Sequence, residues 1–291
     1  MVIRLNKLHS LAFVFIFLCI SFFFAVKAEK KTDIASAAPS GRALPVVMYH
    51  HITEKPSRAG KYVVTVDELK SDLETIEKSG YVTVTIRDLA AYVNGEKDLP
   101  EKIVLLTFDD GFESVREFAW PLLSEKHMCA AAFAVGSITE VYSRNGDRNV
   151  NYAYLNWDDL RELDGSDEFE VHSHTYDMHG LGTDGKRKGL SRKRGESLSD
   201  YEKALREDLM RMQELLKNCS SVESLAVAYP YGSYSKETSE IVRSLGFKAS
   251  FVCEERINII TPGDEDCLFD LGRYNRPSGV SSSAFFSKLL K

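Results

Sequence analysis

Four short stretches of the 291-residue chain gather side chains able to do acid–base or metal chemistry. TFDDG (107–111) sets Asp109 beside Asp110 at the end of the apolar run KIVLLTF. Adjacent carboxylates raise each other's pKa unless a cation sits near them, so the pair reads either as part of a cation site or as a polar turn entering a helix. EVHSHTYDMH (170–179) offers His172, His174 and His179 at the exit of a short apolar strand. Several imidazoles on one strand-to-loop exit point to metal ligation. In an extended chain His172 and His174 share a face, and the following loop can turn His179 back toward the metal. AYPYGSY (228–234) is, taken alone, an ordinary Pro-Tyr-Gly turn after a strand. LPVVMYHH (44–51) ends a valine-rich run in His50 and His51.

These stretches converge only if the elements beneath them lie side by side. From Leu44 onward, short apolar runs alternate with amphipathic ones. Strands are predicted at 44–49, 81–86, 102–108, 129–135, 169–173, 224–229 and 247–252. Between them, VDELKSDLETIEKSG spaces Leu69, Leu73 and Ile76 along one helix face and ends in Gly80. SDYEKALREDLMRMQELLKN opens on the capping residue Ser199 and repeats Leu205, Leu209, Met212 and Leu216 as a core stripe. The alternation predicts an α/β fold, a distorted (β/α) barrel of about seven strands, with the site at the C-terminal strand ends. The polar, basic segment 183–197 lacks periodicity and reads as a solvated insertion beside the histidine loop.

Taken together, TFDDG, SHTYDMH and AYPYG resemble the motifs of the polysaccharide deacetylase family, carbohydrate esterase family 4, also called the NodB-homology fold. The likeness covers about 100–252. It implies that Asp109 is a general base and that Asp110, His174 and His179 are metal ligands. One carboxylate and two imidazoles, with positions left for water, make an open catalytic site. Zinc is the first choice for such a set, and cobalt, nickel and iron accept the same donors. The resemblance also places the Tyr231 N–H, just after Pro230, at the oxyanion, and leaves Tyr229 and Tyr231 to stack on sugar faces.

Three departures from the common pattern are informative. Thr175, Tyr176, Asp177 and Met178 separate the two ligand histidines, one residue more than usual. That spacing resembles the branch that deacetylates poly-N-acetylglucosamine. The arginine usual before the third motif is missing from 225–229, so Arg273 in LGRYNRP becomes the candidate to orient Asp109, with a structural salt bridge as the alternative. Finally, no histidine follows His179, so the family's closing Leu-x-His strand is absent from the C-terminal part. Met48-Tyr49-His50 fits that strand moved to the front. Such a circular permutation is also similar to the poly-N-acetylglucosamine branch, and it is cheap where a barrel brings the termini together. His50 is then the general acid, and His51 a turn residue facing elsewhere.

A formal net charge of -6 leaves no footprint for nucleic acid. Arg4 and Lys7 precede an apolar run over 11–26 that ends in Val26-Lys27-Ala28, so residues 1–28 read as an export signal, cleaved or retained as a membrane anchor. Residues 29–43 read as a linker and 44–291 as one deacetylase domain, secreted or anchored at the outer face of the membrane. Beyond Cys19, which lies in the apolar run, four cysteines are too sparse for a disulfide framework; Cys253 with Cys267 is the one pairing to test. The expected activity is metal-dependent removal of N-acetyl groups from a cell-surface polysaccharide containing N-acetylglucosamine. Peptidoglycan, a chitin-like chain or acetylated xylan are alternative polymers. A small-molecule amidase and a non-catalytic wall-binding module are alternatives of other classes.

Overall fold

Eight parallel strands curl into one sheet in the computed structural model, which describes residues 41–183, 185–219 and 223–290. In chain order they are β1 (Val46–Tyr49), β2 (Val82–Thr83), β3 (Ile103–Phe108), β4 (Ala130–Ala134), β5 (Phe169–Ser173), β6 (Ala226–Ala228), β7 (Ala249–Phe251) and β8 (Tyr274–Asn275). Across the sheet the order is β7-β6-β5-β4-β3-β1-β8, and β2 pairs with the start of β3.

Parallel strands covered on both faces need continuous apolar sequence, and all six residues of β3 and all five of β4 are buried. Side-chain alternation sorts them into two layers. Val104, Leu106 and Phe108 face outward, into a core shared with Leu69, Leu73 and Ile76 of helix α1 (Val66–Lys78). Ile103 and Leu105 face inward with Ala131, Phe133 and Phe251. The same parity aims Thr107 and Asp109 inward at the top of β3. On β5 it stacks Glu170, His172 and His174 in successive inner layers.

The sequence-based strands are recovered, mostly with trimmed ends. The run 81–86 is strand for only two residues, because Thr85 caps helix α2 (Ile86–Val93) through a reciprocal pair with Asp88. β8 adds an eighth strand. Two residues long and half-buried, it is too short to leave a periodic signal. The folded part also starts earlier than expected, since Arg42–Leu44 pairs antiparallel with Asn258–Ile260. Residues 1–28 and most of the linker lie outside the described residues.

Between β7 and β8 the sheet is joined by a seam. Leu271 donates its N–H to Ser250 O (2.8 Å) and accepts from the Val252 N–H (2.9 Å), while the Arg273 N–H donates to Glu254 O (3.0 Å). On the other side, β8 pairs with β1 and the Arg276 N–H donates to Met48 O at 3.0 Å. The chain's last barrel segment thus locks against both its first strand and β7.

Two expectations about loops and thiols are corrected. Cys129, Cys219, Cys253 and Cys267 are all free; Cys253 borders the central cavity whereas the Cys267 thiol sits against Thr261, so the tested pair does not form. Nor is 183–197 merely solvated. Leu190 is fully buried, and Arg187 grips Glu196 through two hydrogen bonds (2.8 and 2.6 Å) while stacking on Tyr201.

Beneath the seam, Arg276 holds Asp72 of α1 with Nε and Nη2 (2.8 and 3.0 Å), and the Tyr49 hydroxyl donates to the same carboxylate (3.0 Å). Removing one partner of a buried ion pair strands the other charge. Arg276→Met is therefore expected to lower unfolding free energy by about 3–5 kcal/mol, read as a drop in urea midpoint at constant m-value.

Candidate active site

Asp109 leaves β3 on the inner face, where its two oxygens receive Nη1 and Nη2 of Arg273 at 2.7 and 2.8 Å. Both side chains are essentially fully buried. Arg273 is itself fixed by donating Nε to Val252 O (3.1 Å) and Nη1 to the Thr107 hydroxyl (3.3 Å). Burial works to raise the Asp109 pKa, but the Arg273 charge and its paired hydrogen bonds outweigh that, holding the carboxyl at about 2. Asp109 is an oriented carboxylate at any physiological pH.

The next residue turns away. Asp110 and Gly111 have φ of 71° and 77°, successive left-handed positions that reverse the chain. A Cβ on Gly111 would approach the Ala134 Cβ to 3.3 Å. The turn brings Asp110 Oδ1 to 3.1 Å from His179 Nε2 and 3.5 Å from His174 Nε2. The ligand atoms of Asp110, His174 and His179 all lie within 4.8 Å of one another.

Whether this cluster suits a metal is decided by where the imidazole protons sit. His174 Nδ1 is 2.8 Å from Ala228 O, which can only accept, so Nδ1 carries the proton and Nε2 presents a lone pair toward Asp110. Burial drives the His174 pKa down to about 4 despite the neighbouring carboxylates, which keeps the ring neutral. His179 Nδ1 lies 3.0 Å from the Tyr231 hydroxyl, which also lies 3.4 Å from His179 O. Donation by the Tyr231 hydroxyl to that carbonyl and acceptance from Nδ1–H leaves Nε2 free as a ligand. Lone pairs of two imidazoles and a carboxylate oxygen facing one point repel unless a cation lies among them. The donor set therefore fits a divalent metal, with the Ala228 carbonyl and the Tyr231 hydroxyl holding the far side of each imidazole as such sites require.

His172 does not join them. It lies one inner layer deeper, bonded to Glu170 Oε2 at 3.3 Å, where Glu170 accepts the Ile86 N–H at the start of α2 (2.7 Å). His50 does line the same cavity, edge-on to Tyr62 at 5.0 Å. Its Nδ1 is buried without a hydrogen bond among the described residues, leaving Nε2 as its outlet. His51 is not a turn residue: it opens the short strand His51–Thr53, is buried, and sits with Nε2 3.1 Å from Val150 O.

The third stretch is only partly as expected. Tyr231 is 42% exposed on the cavity wall. Its N–H makes no hydrogen bond among the described residues. Tyr229 and Pro230 are buried and do not line the cavity; Tyr229 shares the outward parity of Val227 and packs beneath the helices with Leu205 and Leu209. Two contributors carried no readable signal in the sequence. The Ala228 carbonyl is a main-chain atom. Tyr62, half-exposed on the cavity rim, belongs to a loop without motif or period.

The cavity holds about 640 Å³ and opens at the C-terminal ends of the strands. Asp110 and Tyr231 on its wall, and Thr175 next to His174, adopt positive φ. Such local strain concentrates at functional sites.

A curled parallel sheet with a carboxylate–dihistidine cluster and a clamped aspartate at its rim is the arrangement of the NodB-type half-barrel. Residues 96–250 match the polysaccharide deacetylase family, and the chain belongs to that family. Among solved structures it is similar to IcaB from Ammonifex degensii, at 28% identity and TM-score 0.66 over 82% of this chain and 94% of that one. The Streptococcus pyogenes deacetylase PplD shares the fold at 20% identity and TM-score 0.69, over 87% of this chain and 100% of that one. The poly-beta-1,6-N-acetyl-D-glucosamine N-deacetylase of Staphylococcus aureus (strain MRSA252) is 25% identical over 79% of this chain and 71% of its own length. The Escherichia coli K12 protein of the same description is 26% identical over 72% of this chain, which spans only 33% of that protein.

Gly111→Ala is expected to destabilise the fold by about 1–2 kcal/mol, the cost of placing an L-residue in the left-handed region. Denaturant unfolding measures it, and Asp110 should lose its register with the histidines in the same variant.

Proposed function

We propose that the chain is a metal-dependent polysaccharide de-N-acetylase acting on N-acetylglucosamine units, with poly-N-acetylglucosamine as the polymer. One observation carries the reading: a single cavity joins the metal-suited triad to an Arg-clamped carboxylate outside that triad and an imidazole just past the end of β1. The polymer rests on the relatives, whose names specify it, and on the four-residue histidine spacing, which resembles that branch.

A divalent ion held by Asp110, His174 and His179, zinc by preference, would supply Lewis acidity toward the acetamide carbonyl and the attacking water. Asp109 accepts the proton of that water as its oxygen bonds to the acetyl carbon. The Tyr231 N–H donates to the oxygen that gains charge. His50 gives a proton to the nitrogen as the C–N bond breaks, leaving acetate and a free amine on the sugar. Arg273 keeps Asp109 oriented throughout, and ionised until it takes the water's proton. The apolar segment within 1–28 supports export, with the enzyme secreted or anchored at the outer face of the membrane.

Acetate release should stop on chelation and return with zinc. Asp109→Asn and His174→Ala should each lower kcat by roughly 10²–10⁴-fold. A panel of poly-N-acetylglucosamine, peptidoglycan, chitin oligomers and acetylated xylan identifies the polymer; binding without acetate release from any of them marks a wall-binding module instead. For His50→Ala, the loss should be large on acetamides and small on an aryl acetate, whose leaving group needs no proton. Equal losses on both substrates would remove His50 from the acid role.

A further inference from the structure

The four residues between the ligand histidines form a loop whose main-chain polar groups are almost all engaged. The Thr175 N–H donates to the Ser173 hydroxyl (3.1 Å) and the Met178 N–H to the Thr175 hydroxyl (3.1 Å). The Thr175 and Tyr176 carbonyls accept the N–H groups of Gly136 and Ser137, at 3.1 and 2.8 Å, where helix α3 (Gly136–Asn145) begins. The remaining two N–H groups, of Tyr176 and Asp177, converge on one carboxylate. They donate to Asp208 Oδ1 and Oδ2 at 2.8 and 2.7 Å.

Asp208 stands on helix α4 (Leu198–Cys219), beside the Leu205, Leu209 and Met212 stripe that packs this helix on the barrel. A carboxylate there is costly: burial pushes its pKa up to about 6, even with two amide donors pulling the other way. The adjoining side chains reinforce the same docking. Arg211 of α4 stacks on the Tyr176 ring (5.2 Å), and the Tyr176 hydroxyl donates to Glu140 of α3 at 3.0 Å.

We propose that Asp208 is a positioning residue for the metal centre: by holding the Tyr176 and Asp177 amides it sets the path of the four-residue loop and so the approach of His179 to Asp110 and His174. The extra residue between the histidines is what this docking uses. Thr175 turns through φ 73°, the loop apex reaches sideways to α4, and the chain returns to deliver His179. The sequence carried a sign of this, an acidic residue within an apolar helix stripe.

The inference rests on the metal reading above, and zinc titration against a chromophoric chelator tests both on the full protein. Wild-type protein is expected to bind one zinc ion. Asp208→Ala should weaken that binding by about 10–100-fold, the usual cost of losing an outer-shell partner, and Asp208→Asn, which swaps one acceptor for a donor, should weaken it too. Met210→Ala, an exposed position on the same helix, should leave it unchanged. Both Asp208 variants should alter the visible spectrum of the cobalt-substituted protein while still unfolding cooperatively in urea without metal. Zinc affinity within twofold of wild type in either folded variant overturns the proposal, as does a weakening that merely tracks lost metal-free stability with an unchanged cobalt spectrum. Wild-type protein that takes no zinc overturns the metal reading and this inference together.

Discussion

The two-pronged bond between Arg273 and Asp109 is the constraint around which the molecule is arranged. A carboxylate buried at the top of a parallel sheet is tolerable only with a cation held rigidly against it. Here the cation comes from a segment separated by 164 residues in sequence. Arg273 can reach Asp109 only because the seam hydrogen-bonds to β7 on one side and, through β8, to β1 on the other. Barrel closure and the ionisation of Asp109 are therefore the same structural event. Asp110, free of that clamp and turned by its left-handed backbone, is left to serve the histidines.

Side-chain parity explains most of what could be read from sequence. Along β3, odd-numbered positions face inward, so TFDDG had to present its first aspartate to the interior. On β5 the same rule carries His172 and His174 inward together, yet alternation says nothing about depth, and His172 spends its ring on Glu170 one layer below. Parity applied to 226–229 would have turned Tyr229 outward under the helices, which is where it lies. The turn signal of Pro-Tyr-Gly drew it instead toward the substrate.

What the sequence hid was structure made by short or main-chain elements. β8 has two residues, and the seam before it is held by individual hydrogen bonds that leave no periodic trace. The Ala228 carbonyl that fixes the His174 tautomer has no side-chain signature at all. Arg273 was legible as a charged residue near glycine and proline, but only the closure of the sheet distinguishes an orienting partner of Asp109 from an ordinary ion pair. His50 gained its place from an absence, the lack of any later histidine, and the cavity contains it.

The seam also carries a consequence for the order in which the protein comes into being. Synthesis delivers His50, Asp109, Asp110, His174 and His179 long before Arg273 exists, and a chain interrupted ahead of residue 273 lacks the guanidinium that orients Asp109 in the folded barrel. Non-local closure of this kind is late and slow in folding. The segment around Arg273 thus couples the orientation of Asp109 to the closing of the sheet, so neither can precede its synthesis.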